Sequence, residues 1–137
     1  MDGKELSYED AIEEIAKRYG VPRSVYSRMV TQESGGNDAA VSKKGASSRW
    51  QIMPATARGL GIDANDPLQA AEGGLRILRD NYKRFREYAQ NEKHAWMMSV
   101  AGYHGNPANV EKDLKNGGYG LPMISDGAIT TRDHVLK

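Results

Sequence analysis

Cysteine is absent from this sequence. Its absence excludes disulfide bonds and thiolate metal sites, and it leaves the redox compartment undetermined. Long hydrophobic runs are missing too, since no apolar stretch approaches the roughly 18 residues that a membrane-spanning helix requires. Alternation of apolar and polar residues, which is typical of strands, never extends beyond a few residues. The sequence therefore predicts a nearly all-α protein without a membrane span.

An excess of charge of either sign is also missing. Nineteen lysines and arginines against eighteen aspartates and glutamates leave a formal net charge of +1. Such a balance produces no strong field toward nucleic acid or a charged membrane surface, so we expect neither as a partner. A length of 137 residues with 39% hydrophobic residues suits one globular domain over residues 1–137.

Apolar residues recur at intervals of three and four in several segments, which predicts helices. Ser7 and Gly20 bound the first helix, and Asp66 with Pro67 begins the longest. Asn91 begins a helix that is apolar on most sides, so we expect it to be the central buried one. The predicted helices cover about 8–19, 22–34, 54–60, 67–88, 92–103 and 107–114, with a last turn at 132–137 and a loop at 35–49.

Glu33 is the acid with the most unusual predicted position. It follows Met29 by four residues and Val30 by three, so it falls on the apolar stripe of its helix. The carboxylate meets the negative end of the helix dipole there, and partial burial disfavours its ionisation further. Both effects raise the pKa, and a carboxyl that stays protonated near neutral pH can act as a general acid. The alternative is that Glu33 extends into solvent at a frayed helix end.

Several short motifs follow this acid in a fixed order. They are Glu33-Ser34-Gly35, Ala40-Val41-Ser42, Gly45-Ala46, Gln51-Ile52-Met53-Pro54-Ala55-Thr56-Ala57, Gly74 to Leu78, Ala101-Gly102-Tyr103-His104-Gly105-Asn106-Pro107 and Thr131-Arg132-Asp133-His134-Val135. Together they resemble the motifs of the soluble lytic transglycosylases, the relatives of goose-type lysozyme. Those enzymes cleave peptidoglycan glycan strands between N-acetylmuramic acid and N-acetylglucosamine.

This resemblance implies a lysozyme-like single domain, mostly α with at most a rudimentary β element, in which Glu33 is the sole acid/base. Glu33 would protonate the glycosidic oxygen and then take the proton of the muramic C6 hydroxyl, which attacks its own C1. The product would carry a 1,6-anhydro end. An ordinary glycosidase needs a second carboxylate, and the nearest acid is Asp38 in the loop. If Asp38 lay about 6.5–9.5 Å from Glu33, hydrolysis by a muramidase mechanism would be favoured.

The resemblance also implies residues that contact the glycan. Ser42 matches a serine near the acid, Gln51 a glutamine that hydrogen-bonds the sugar, and Tyr103 a tyrosine that lines the cleft. From the residues alone, a loop cap, a buried amide and a core aromatic are the respective alternatives. We include Ser34, which also sets the helix end, and His104 among the candidate substrate-binding residues.

The chain departs from the family pattern at three places. Ser48-Arg49-Trp50 stands where the family has Gly-Leu-Met, and His104 and His134 replace an asparagine and a tyrosine. A serine in place of the glycine leaves the shape of one subsite open, whereas Arg49 and Trp50 are candidates for a charge and a stacking face toward the stem peptide or lactyl group. These departures leave open a domain that binds glycan without cutting it, or a purely structural one. The histidines lack metal-ligand spacing, so we expect no metal and no cofactor.

The resemblance implies action on peptidoglycan in the periplasm or at the cell wall. Residues 1–14 are acidic and helical in pattern, unlike a basic and then apolar signal peptide. We therefore expect delivery within a virion or a secretion assembly, or a leader that has been removed. The isolated domain is expected to be a monomer.

Overall fold

The computed structural model describes residues 7–37, 45 and 48–117, apart from the side chain of Gln32. Within these residues the chain is mostly helical, and an isolated bridge at Ile52 is their one β element. This confirms the predicted mostly α fold. The helices are α1 (Tyr8–Tyr19), α2 (Arg23–Ser34), α3 (Pro54–Leu60), α4 (Pro67–Phe85), a short 3-10 helix (Arg86–Tyr88), α5 (Glu92–His104) and α6 (Pro107–Lys115).

Polar side chains begin several of these helices as predicted. The Asp66 carboxylate accepts hydrogen bonds from two backbone N–H groups in the first turn of α4, at 2.9 and 3.1 Å. Ser7 caps α1 in the same way at 3.1 Å, and Asn91 caps α5 at 2.9 Å. Pro22 differs slightly from its prediction, because it is the cap of α2 instead of its first residue. The predicted last turn at 132–137 lies outside the described residues.

The chain divides into two compact units, Met1–Arg76 and Ile77–Lys137, with the boundary inside α4. The first unit contains α1, α2, α3 and the beginning of α4. The second contains the end of α4, the 3-10 helix, α5 and α6. One domain over residues 1–137 therefore stays a prediction. In the part of the chain that the structure describes, no helix combines the length and the apolar character needed to cross a bilayer.

In the first unit, two tyrosine hydroxyls connect α1 to the beginning of α4. The hydroxyl of Tyr8 donates to the backbone carbonyl of Pro67 at 2.7 Å. At the other end of α1, the hydroxyl of Tyr19 donates to the Glu72 carboxylate at 2.8 Å. The apolar face of α1 between them is buried at Ile12 and at residues 15 and 16. Both ends of α1 are thus fixed against the same helix.

Trp50 is fully buried in this first unit. Its indole Nε1–H donates to the hydroxyl oxygen of Tyr8 at 3.1 Å. A Cβ on Gly74 would lie only 2.4 Å from Cε3 of the indole, so the ring occupies the space that a side chain at position 74 would need. The glycine that begins the motif at 74–78 therefore has a packing reason in this chain.

Helix α5 is the buried helix of the second unit. Eight of its residues are buried. The Ser99 hydroxyl donates to the Leu78 carbonyl at 2.6 Å, and the Asn81 amide donates to the Ser99 carbonyl at 3.1 Å, so the buried polar groups are hydrogen-bonded. The prediction of a buried helix after Asn91 is confirmed. Met98 and Ala101 of this helix form an apolar core with Phe85, Val110 and Leu114.

The packing of Trp50 can be tested with Gly74→Ala. We expect the free energy of unfolding to fall by about 2 kcal/mol, because an added methyl group overlaps the indole in a close-packed core. The control is Gly59→Ala in α3, where a Cβ would meet nothing within 4 Å. The control should leave the stability unchanged or raise it by up to about 1 kcal/mol, through helix propensity. Urea unfolding of both variants measures the difference, and equal stabilities would contradict the packing argument.

Candidate active site

Glu33 lies in the last turn of α2 and is half-buried. Met29 and Val30 are buried, so the stripe predicted from their spacing is the inward face of the helix. The helix ends at Gly35, which has a left-handed conformation with φ 65° and donates its N–H to the carbonyl of Thr31. The last turn of α2 contains no basic residue. A carboxylate at this position therefore meets the negative end of the helix dipole without a cation in the same turn to offset it.

Ser34 connects the end of α2 to the turn formed by residues 48–51. Its hydroxyl lies 2.9 Å from the carbonyl of Arg49 and 3.1 Å from that of Val30, so it donates to one of the two at a time. The same oxygen accepts a hydrogen bond from the N–H of Gly36 at 3.1 Å. Ser34 thus fixes the chain directly after Glu33, in agreement with its expected role at the helix end. Its contact with glycan stays a prediction.

The turn at 48–51 contains two residues with positive φ that are not glycine, Ser48 at 67° and Gln51 at 49°. Such conformations cost about 1–2 kcal/mol for a residue with a Cβ. The turn is held by the Ser48 hydroxyl, which accepts from the N–H of Trp50 at 3.2 Å. The Ser48 carbonyl accepts from the Gln51 backbone at 3.2 Å and from its side-chain amide at 2.6 Å. A left-handed position 48 gives a conformational reason for the glycine of the family pattern, and the contact of Gln51 with sugar stays a prediction.

Arg49 and Trp50 both pack onto residues of α1. The Arg49 guanidinium forms an ion pair with the Glu9 carboxylate at 2.6 Å and lies 4.8 Å from the centroid of the Tyr8 ring. Trp50 is 0% exposed. The contact of Trp50 with substrate stays a prediction, and in this structure the indole packs against Tyr8 and Gly74. Its physical role here is packing.

A surface cavity of about 160 Å³ lies beside the same turn. Burial raises the pKa of the Tyr26 phenol at this cavity above its ordinary value. Glu33 is not one of the lining residues, so the cavity adjoins α2 without including the predicted acid. The lining residues are Glu9, Ile12, Tyr26, Ser27, Val30, Thr31, Arg49 and Trp50.

The other predicted site residues belong to the second unit or lie outside the described residues. Tyr103 and His104 are the last two residues of α5, and both are half-buried. Ser42, Asp38 and the motif that contains His134 lie outside the described residues. Their roles stay predictions. Within 7–37, 45 and 48–117, no group of three or more histidine, aspartate or glutamate side chains is arranged to hold a metal ion.

Comparison with known proteins decides the family. The sequence profile of the transglycosylase SLT domain matches residues 10–120. The chain belongs to this family. This chain is 33% identical over 107 residues to a transglycosylase of Enterobacteria phage PRD1. The aligned residues cover 76% of this chain and 37% of that protein.

A second relative is bacterial. Over 109 residues this chain is 27% identical to membrane-bound lytic murein transglycosylase F of Stutzerimonas stutzeri (strain A1501). The aligned residues cover 79% of this chain and 22% of that protein. The chain thus spans well under half of the length of both curated relatives. The family predicted from the motifs is confirmed.

Sequence reasoning did not find the part that α1 plays at this site. Tyr8 and Glu9 fit the helical pattern of α1, and nothing in their spacing relates them to a turn about forty residues later. The one available signal was Arg49, a charged residue where the family has an apolar one. A mostly buried cation needs an acidic partner, and the partner is Glu9.

The left-handed conformation of Ser48 can be tested by two substitutions. Ser48→Val should lower the free energy of unfolding by about 2 kcal/mol, because a β-branched residue is strained at positive φ. Ser48→Gly should remain within about 1 kcal/mol of the unchanged protein, since the relief of strain offsets the lost hydroxyl contact. Thermal and urea unfolding of both variants measure the contrast. A valine variant as stable as the glycine variant would contradict the assigned conformation.

Proposed function

We propose that this SLT domain is a peptidoglycan lytic transglycosylase that cleaves the β-1,4 bond between N-acetylmuramic acid and N-acetylglucosamine. The observation that carries the proposal is the family match over residues 10–120, within which Glu33 occupies the last turn of α2. The names of the two relatives, a transglycosylase and a lytic murein transglycosylase, support the same reaction and substrate.

In the proposed mechanism Glu33 acts first as an acid and then as a base. Its carboxyl donates a proton to the glycosidic oxygen while the bond from that oxygen to C1 of the muramic sugar breaks. The N-acetylglucosamine leaves with a free 4-hydroxyl group. The carboxylate then accepts the proton of the muramic C6 hydroxyl as its oxygen bonds to C1. Glu33 ends protonated as it began, and no water is consumed.

The local structure supports this use of a single carboxyl. An acid that acts twice in succession must keep its position between the two steps. Half-burial of Glu33 on α2 limits its freedom, and Ser34 fixes the residue that follows it. Side chains placed on helices and supported by surrounding hydrogen bonds are held more closely than side chains on loops.

A domain that binds glycan without cutting it receives less support. The grounds for that alternative were the altered residues Ser48-Arg49-Trp50 together with the two histidines, His104 and His134. Trp50 fills the space beside Gly74, and Ser48 adopts a left-handed conformation that suits a glycine. The substitutions are thus compatible with an intact turn. Asp38 lies outside the described residues, so hydrolysis through it remains an alternative that the reaction products decide.

We further propose that the domain acts on the cell wall as part of a virion. The isolated domain is proposed to be a monomer. The similarity to a transglycosylase of phage PRD1 supports this setting. A small wall-cutting domain there opens the glycan layer locally.

The role of Glu33 is tested by Glu33→Gln. We expect release of soluble fragments from purified peptidoglycan to fall by at least about 100-fold, because an amide can neither donate nor accept the catalytic proton. The fold should persist, as judged by circular dichroism and thermal unfolding. Glu13→Gln on α1 is the control, since Glu13 is also half-buried but pairs only loosely with Lys17 at 3.8 Å. A Glu33→Gln variant with full activity would remove Glu33 from the mechanism.

The products of the digest distinguish transglycosylation, hydrolysis and binding without cutting. Mass spectrometry should find fragments with 1,6-anhydro ends, which are lighter than reducing ends by one water molecule. Reducing ends would instead indicate hydrolysis by a muramidase. Sedimentation with peptidoglycan in the absence of any released fragment would indicate a binding domain.

A further inference from the structure

We propose that Arg49 is a positioning residue for the Glu33 carboxyl. Its side chain anchors the turn at 48–51 to α1, and its backbone carbonyl receives the hydrogen bond that fixes the end of α2. The effect on catalysis rests on the proposed function, whereas the structural connection can be measured independently of it.

The side chain of Arg49 is anchored at a well-fixed place. It is only 15% exposed, it pairs with Glu9 at 2.6 Å, and its guanidinium lies over the Tyr8 ring at 4.8 Å. The ring is itself held at its hydroxyl, which donates to the Pro67 carbonyl at 2.7 Å and accepts from Trp50 at 3.1 Å. Arg49 therefore rests on an aromatic ring that has little freedom to move.

The backbone of Arg49 transmits this anchoring to α2. Its carbonyl accepts from the Ser34 hydroxyl at 2.9 Å, and Ser34 directly follows Glu33. The same hydroxyl has an alternative acceptor within its own helix, the Val30 carbonyl at 3.1 Å. If the turn shifts, Ser34 can turn to Val30, and the end of α2 then loses its connection to the turn. The anchored Arg49 side chain, next to the buried Trp50, favours the Arg49 carbonyl as the acceptor.

The turn needs such support because of its conformation. Ser48 and Gln51 both have positive φ, and residues with a Cβ persist there only where the surroundings hold them. The ion pair contributes little to global stability, since Glu9 is 68% exposed and surface pairs are weak. Arg49 is therefore expected to affect the position of Glu33 more than the stability of the fold.

The test compares Arg49→Leu with a matched control in the full chain. Arg84→Leu removes a similar arginine in the second unit, which pairs with Glu111 at 2.9 Å and lies 5.8 Å from the Phe85 ring. With soluble glycan strands as substrate, Arg49→Leu should lower kcat by about tenfold and change KM by less than about twofold, because the acid is misplaced while binding persists. Arg84→Leu should leave both unchanged. Arg49→Lys should recover part of kcat, since lysine keeps the charge but not the planar contact.

A second readout follows the connection itself. Amide hydrogen exchange at Gly35 and Gly36 should accelerate by about threefold or more in Arg49→Leu and stay constant in Arg84→Leu, because the end of α2 opens more often. If Arg49→Leu fails to fold, Glu9→Gln weakens the same anchor and should change kcat and exchange in the same direction. Unchanged kcat and unchanged exchange in these variants, with an active parent protein, would overturn the proposal. An inactive parent protein would instead refute the proposed function, and the exchange rates would still decide the role of Arg49.

Discussion

The burial of one indole ring is the constraint on which the first unit depends. The side chain of Trp50 has a single hydrogen-bond donor, the indole N–H, and a buried donor without a partner is costly. The hydroxyl of Tyr8 accepts it, which fixes the beginning of α1. The ring also needs space on α4, which Gly74 provides. One side chain thus constrains where α1, the turn at 48–51 and the beginning of α4 can lie within the first unit.

That burial also accounts for the strained turn beside the predicted acid. Burying a large apolar side chain contributes roughly 1.5–3 kcal/mol, whereas a residue with a Cβ at positive φ costs about 1–2 kcal/mol. Ser48 and Gln51 together cost about 2–4 kcal/mol, so the burial of Trp50 offsets much of the strain in the turn. The strained turn in turn presents the Arg49 carbonyl to Ser34. The burial of Trp50 thus helps to fix the C-terminal end of α2, the helix that contains Glu33.

The helices were predictable because their signals are local. Ser7, Asp66 and Asn91 act on N–H groups within three residues, so the sequence alone indicates where these helices begin. The half-burial of Glu33 likewise follows from its spacing to buried neighbours. The surroundings of Trp50 were not predictable, since its partners lie 42 residues before it and on a helix that begins seventeen residues after it. A turn of four residues has no periodicity from which burial can be inferred.

In the sequence, the departures from the family pattern suggest lost function because their partners in α1 are not apparent. In the structure Arg49 and Trp50 meet at the same residue, because the guanidinium covers the ring of Tyr8 while the indole donates to its hydroxyl. Contributions of residues that share a partner are not additive, so neither residue can be judged as an isolated replacement of a leucine or a methionine. Together with Glu9 they form one packing unit between α1 and the turn. The charged Arg49 and the bulky Trp50 therefore indicate that the turn at 48–51 is supported differently in this chain. They do not bear on whether Glu33 is the catalytic acid.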